Sequence, residues 1–465
     1  MIQRSDVAWR QDRCGRRVRE HLMGQLVGLG RHTLSGLICT TGHAFGDWSA
    51  HYRLYSRQRV DPEPLFRTAR TGVESFLSAD QPLVIGLDDS ILRKRGRKIP
   101  GVGWRRDPLG PPFSLNWVLA QRVVQFSAAL PCGPDGAARM IPIDFVHAPT
   151  AVKPKKKASS DEWIAYREVA RQRNINRVAV ERLALLICGS SSRPLWLTVD
   201  GRFTNSTVFK GLPQSVTLIG RIRGDARLYC PPQAVAVSRG RPRDYGDALP
   251  TPEQIRQKDS IPWQTITAFA AGKKHEFRLK TIDSVRWRTV GAKDVRLIVI
   301  APLGYSLRKG GRMLYRKPAY LICTNPKLPL EQVLQAYLWR WDIEVNFRDE
   351  KTLLGVGQAQ VRHPHSVESV PALTVAAYAL LLLAAAQTYG PQGIPDTLPR
   401  PAWRKNQPRT RATTIDLIQQ LRWDLWAQGL RSTTFSGFSS TKVPDHKPQK
   451  LSDALDSALF LAIPA

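Results

Sequence analysis

The stretch YLWRWDIEVNFRDEK, residues 337–351, threads bulky tryptophans through a dense set of opposite charges. On a helical projection of about 100° per residue with Tyr337 at zero, Arg340 falls near about −60°, Glu344 near about −20° and Lys351 near about −40°. A tyrosine, two cations and one carboxylate therefore share one face. Arg340 and Lys351 suit the phosphates of a strand whose reacting bond lies at Glu344, and Tyr337 can pack on the same backbone. More acids sit where short apolar runs end: the run Leu83 to Leu87 in QPLVIGLDDS is followed by Asp88 and Asp89, and RPLWLTVD ends in Asp200. Converging carboxylates offer a divalent cation hard oxygen ligands and leave positions open for water and phosphate, which is the requirement of metal-assisted phosphoryl transfer. Taken singly the acids say little, because strand-end aspartates cap turns and Glu344 can pair with Arg340 and Arg348 along a helix.

The composition points to the same partner. Sixty-nine Lys and Arg against 38 Asp and Glu give a net charge of +31 over 465 residues, a field that draws in polyanions and weakens with salt. The excess is spread out: residues 1–60 hold ten arginines and four acids, and ILRKRGRKIPGVGWRRDP holds seven cations and one acid. KPKKK at 153 reads as a solvated loop with only non-specific attraction for phosphate. Six dispersed cysteines form no metal-binding spacing, and with no signal peptide the expected compartment is the reducing cytoplasm. PALTVAAYALLLLAAAQTYG, from 371, opens with Pro and is heavy in Ala, so it reads as a buried core helix and no membrane partner is expected.

The elements that must position these residues follow from periodicity. Residues 1–78 show Gly-broken helical patterns and a basic face, and read as a helical N-terminal DNA-binding region or a cap on the core. Residues 79–224 begin with the strand ending at the aspartate pair, continue through two strand candidates and one long helix from about 161 to 187, and reach the strands before Asp200 and around Arg221. Here Thr204 or Asn205 is placed to cap another helix. Residues 225–325 have a β-rich texture between Pro-rich and charged stretches. Residues 326–390 carry the charged helix and the apolar helix, with His363 and His365 in the connecting loop. Residues 391–465 form a Pro/Arg-rich linker, one amphipathic helix and a loose tail. Alternating strands and helices make the fold class α/β.

The order Tyr337, Arg340, Glu344, Lys351, at intervals of three, four and seven, resembles the Y-R-E-K signature of the insertion-sequence family four transposases within the DDE superfamily. The resemblance covers roughly residues 80–390. It implies a ribonuclease-H-like mixed sheet flanked by helices, with a β-rich insertion, and two Mg2+ ions, replaceable by Mn2+. It further implies cut-and-paste movement of a DNA element through cleavage at terminal inverted repeats and strand transfer, by a dimer on paired ends, in a bacterial nucleoid-associated setting. Carried over, Asp89, Asp200 and Glu344 are the catalytic metal ligands, and Tyr337, Arg340, Lys351 and, in LIGRIR, Arg221 contact DNA. Where the family usually has Thr after the first Asp, this chain has Ser90. The Asp-hydroxyl dipeptide favours Asp89, while Asp88 stays a rival because a strand buried on both faces has no period to fix its register. A catalytically silent DNA-binding protein or repressor, and a nuclease that stops at cleavage, are the other readings of the same charge and acids.

Overall fold

The computed structural model describes residues 8–9, 11–107, 110–111, 113–188, 193–232, 243–306, 308, 310–395 and 411–426. The chain opens with four helices, α1 (Asp12–Val27), α2 (Leu34–Thr40), α3 (Ser49–Ser56) and α4 (Glu63–Glu74). Then come β1 (Leu83–Arg93), β2 (Gly103–Arg106), β3 (Trp117–Pro131), β4 (Ala138–His147), α5 (Ser160–Gln172), α6 (Ile175–Cys188), β5 (Leu195–Val199), α7 (Ser206–Gly211) and β6 (Val216–Ile222). A mostly β section follows: β7 (Leu228–Tyr229), α8 (Pro252–Gln257), β8 (Gln264–Ala270), β9 (Lys273–Trp287), β10 (Gly291–Ile300), β11 (Gly304–Tyr305), β12 (Leu314–Tyr315) and β13 (Ala319–Cys323). The chain then runs through α9 (Leu330–Trp339), α10 (Asp342–Thr352), α11 (Pro364–Tyr389) and α12 (Thr414–Trp426).

The strand order β4-β3-β1-β5-β6 combines antiparallel pairing of β4, β3 and β1 with parallel pairing of β1, β5 and β6. This is the ribonuclease-H-like mixed sheet. The strands between 228 and 323 do not form a separate body. β13 pairs antiparallel with β6, and β10 and β9 extend the same sheet outward from it.

Alternation along each strand splits the core in two. Ile85 and Leu87 of β1, with Leu197 and Val199 of β5, face a cluster built with α1, α4 and α11. Val84 and Trp196 face the opposite cluster, to which α9 and α10 contribute Val333, Leu334, Ile343 and Phe347. Gly86 belongs to this second face, and a Cβ there would lie 2.5 Å from Ile343 Cδ1 and 2.8 Å from Met140 Cε. Only glycine lets α10 come this close.

Two helices expected as single rods are broken. The 161–187 segment divides at Arg173 and Asn174, where the Asn174 side chain accepts from the Asn176 backbone N–H and starts a second helix. The charged helix divides at Arg340 and Trp341, where Arg340, Trp341, Ile343 and Glu344 each donate a backbone bond three residues back. Such a turn winds about 120° per residue. It carries Arg340 inside, 7% exposed, and leaves Trp341 out at 56%. The apolar helix begins at Pro364, and Pro371 lies inside it rather than at its start. It is long and apolar enough to cross a membrane, yet 89% of its most apolar window is buried against the other elements. The amphipathic helix expected after the linker is α12, and the tail beyond it lies outside the described residues.

Candidate active site

β1 does not end at its aspartates. It pairs with β5 only as far as Leu87 opposite Val199, then continues along β3 to Arg93. Asp88 and Asp200 are therefore neighbours at the point where β1 and β5 part. Both lie on the face that carries α9 and α10, because they continue the alternation of Val84 with Gly86 and of Trp196 with Thr198. Arg221 shares this face, two residues beyond Ile219 on β6.

α9 and α10 lay their cations and carboxylate over that edge. Arg340 Nη1 donates to Asp88 Oδ2 at 2.7 Å, and its Nη2 is 3.9 Å from Glu344 Oε1. The Arg340 guanidinium also lies 5.7 Å from the Tyr337 ring centre. Burial raises the Tyr337 phenol, while Arg340 and Arg221 pull it the other way, so all three share one electrostatic neighbourhood. About two turns beyond Glu344, Lys351 Nζ donates to Ser90 Oγ at 2.5 Å.

The carboxylates are crowded. Burial pushes Asp88 up to about 7, with Asp200 and Asp89 adding like charge and Arg340 opposing. Glu344 is raised by burial and by Asp200, again against Arg340. The Asp200 Oδ1 accepts the Arg202 and Phe203 backbone N–H groups at 2.9 and 3.4 Å, an Asx turn that fixes its direction. Among the described residues these acids lie in electrostatic reach of one another without all three offering oxygens within 4.8 Å, so a divalent cation would have to draw their hard oxygens together.

Asp89 is not part of this group. It points to the opposite face, where Arg202 Nη1 donates to its Oδ2 at 2.5 Å and Arg105 and Arg122 lie in electrostatic reach. The preference for Asp89 over Asp88 thus runs against the pleat of β1. The register that the sequence left open is set by Gly86, since the residue beneath α10 must be the one without a side chain.

The same helix carries a second polar stripe, not singled out from the sequence. Asp342 accepts from the Met140 backbone N–H at 2.9 Å and pairs with Arg411. Asn346 donates to Met140 O at 2.7 Å and accepts from Tyr378 Oη at 3.2 Å, and Asp349 accepts from Thr414 Oγ1 at 2.6 Å. Their spacing of four and three is the visible signal. Asn205 caps α7, accepting from Thr207 and Val208, as one of the two expected positions. Beyond Lys351, Arg93, Arg97, Trp104 and Trp117 line a groove of about 840 Å³, with the two tryptophans 58% and 56% exposed. His363 and His365 lie at the start of α11, away from the carboxylates, and His365 contacts Gln58.

A family model described as DDE superfamily endonuclease matches residues 11–293, well over half of the chain. This chain belongs to the DDE superfamily endonucleases. The matched part of this DDE endonuclease includes Asp88, Asp89 and Asp200 and ends before Glu344. No curated protein matches it. One matching solved structure is the cryo-EM structure of the piggyBac transposase synaptic complex with hairpin DNA, 13% identical with a TM-score of 0.33, covering 94% of this chain and 78% of that one. A likeness that low carries no argument about function.

Proposed function

We propose that this DDE endonuclease is a DNA transposase of the insertion-sequence family four type, cutting at the ends of its element and joining them to new DNA. The observation that carries the reading is the meeting of Asp88, Asp200 and Glu344 beneath Tyr337, Arg340 and Arg221 on one face of the sheet. Asp88, rather than Asp89, joins Asp200 and Glu344 as ligand to Mg2+ or Mn2+. When bound, such ions lower the cost of deprotonating the attacking oxygen and of charge on the leaving one.

The chain's own residues divide the remaining work. Arg340 is held rigidly by Asp88, so its second guanidinium edge is oriented toward Glu344 before DNA arrives. Lys351 and the groove at Trp104 and Trp117 extend a basic and aromatic track away from the carboxylates, suited to the phosphates and exposed bases of an unwound end. The terminal repeats, the target and a dimer on paired ends belong to the same proposal.

The test is excision and reinsertion of a marker flanked by the DNA bordering this reading frame. Wild-type protein is expected to move the marker and Glu344→Gln to bind the ends without moving it. Undiminished excision by Glu344→Gln overturns the assignment. Tight binding without movement by wild type, on intact and pre-cut ends alike, replaces it with a silent DNA-binding protein.

A further inference from the structure

The N-terminal helices hold a group of imidazoles that DNA cleavage leaves unused. His21, on α1, is 1% exposed, with its Nδ1 2.8 Å from Tyr55 Oη and its Nε2 2.8 Å from His51 Nδ1 on α3. The His21 and His51 rings stack at 5.1 Å and 9°. His43, in the turn between α2 and α3, has its ring centre 4.5 Å from that of His51 and its Nε2 3.0 Å from Glu20 Oε2. One donor atom each from Glu20, His43 and His51 lies within 4.8 Å of the other two.

We propose that Glu20, His43 and His51 bind a divalent transition ion of the zinc type, stapling α1 to the α2–α3 turn and to α3, with His21 and Tyr55 as outer partners.

Two imidazoles and one carboxylate suit zinc rather than magnesium, and three protein ligands leave a fourth position for water. Bonds of about 2.0 Å in a tetrahedron place ligand atoms about 3.3 Å apart. Glu20 and His43 already meet near that separation at 3.0 Å, and both are partly exposed, so side-chain rotation closes the remaining gap to His51. Imidazole ligates in its neutral form, and burial, followed by His43 and Arg17, lowers His51 to about 4. Asp47 acts on His51 in the opposite sense.

The hydrogen-bond chain has a direction. If His51 Nδ1–H donates to His21 Nε2, then His21 Nδ1–H donates to Tyr55 Oη, and His51 Nε2 presents a lone pair. The reverse direction would leave a proton on that nitrogen. A bound ion selects the first, the arrangement in which an outer partner fixes the tautomer of a metal-ligating histidine. The turn being stapled carries Phe45 at 88% and Trp48 at 56% exposure, so the ion would hold two surface aromatics in one orientation.

The test uses the full chain, stripped with EDTA, dialysed against zinc and gel-filtered, with metal content measured by mass spectrometry and a parallel cobalt spectrum. The expected result is about one equivalent of zinc per chain, with a raised melting midpoint. His43→Gln and Glu20→Gln should lose that equivalent while keeping their circular dichroism. His21→Gln should weaken zinc affinity by about 10- to 100-fold without removing a ligand. A Glu344→Gln control should retain the metal. The cobalt spectrum should be that of nitrogen and oxygen ligands without a thiolate charge-transfer band. No retained zinc in the wild type, full retention in His43→Gln, or a thiolate band from the cysteines would overturn the proposal.

Discussion

Asp88→Asn should make this protein more stable at alkaline pH in a chelator while leaving it nearly unchanged in acid. The carboxyl side chain is 13% exposed and burial pushes it from 3.8 up to about 7. Because the folded-state value is raised, the native protein binds more protons than the unfolded chain between about 4 and 7. Its stability therefore falls as pH rises through that window, and the penalty is complete above pH 7. A rise of about three units at 1.36 kcal/mol each is a penalty on the order of 4 kcal/mol. Asparagine keeps the shape and does not titrate. It leaves Arg340 without the Asp88 anion, but so does the protonated carboxyl of the wild type in acid, so that loss cancels in the comparison between pH values. Urea unfolding followed by tryptophan fluorescence, in EDTA from about pH 4.5 to 8.5, should show the variant gaining on the wild type by roughly 3 kcal/mol, the remainder of the penalty lying below that window. Added Mg2+ at the alkaline end should stabilise the wild type more than the variant. A difference that stays flat with pH, or one that appears in Asp89→Asn instead, would refute the reasoning.

Gly86→Ala should cost about 1–3 kcal/mol, because its Cβ would overlap Ile343 Cδ1 and push α10 off β1. Cleavage by that variant should fall more than DNA binding does, as end-labelled gel assays and filter binding would show together. Asp342→Ala leaves the partly buried Arg411 without its partner and should cost about 3 kcal/mol in the same urea assay. DNA affinity should drop steeply with salt, losing roughly 10³-fold or more between 50 and 200 mM if six or more phosphates are neutralised. A flat salt response in filter binding would contradict the electrostatic reading.

The broad fold was legible because short apolar runs precede Asp88 and Asp200 and mark two core strands, although β1 continues past its aspartates to Arg93. The rest depended on tertiary placement. The aspartate pair could not be resolved from period alone, since both faces of β1 are covered. Gly86 was the clue, as a glycine inside a strand marks close backbone approach. The split at Arg340 and Trp341 escaped the helical projection because both residues keep helical dihedrals and only the hydrogen-bond spacing changes. The anchoring stripe of Asp342, Asn346 and Asp349 was visible as charge density but not as purpose, because its partners Met140, Tyr378, Arg411 and Thr414 lie far away in sequence. Nor could spacing show that the strands between 228 and 323 would extend the core sheet, since that rests on the pairing of β13 with β6.

The decisive experiment for the three-carboxylate site is cleavage of end DNA from the flanks of the reading frame, in Mg2+, by Asp88→Asn and Asp89→Asn side by side. Asp88→Asn is expected to lose roughly 10³-fold or more in rate while still binding the DNA, as befits the loss of a transition-state ligand. Asp89→Asn, which loses only its pairing with Arg202 on the far face of the sheet, should remain within about tenfold of wild type. Inactive Asp89→Asn beside active Asp88→Asn would contradict the assignment of the site.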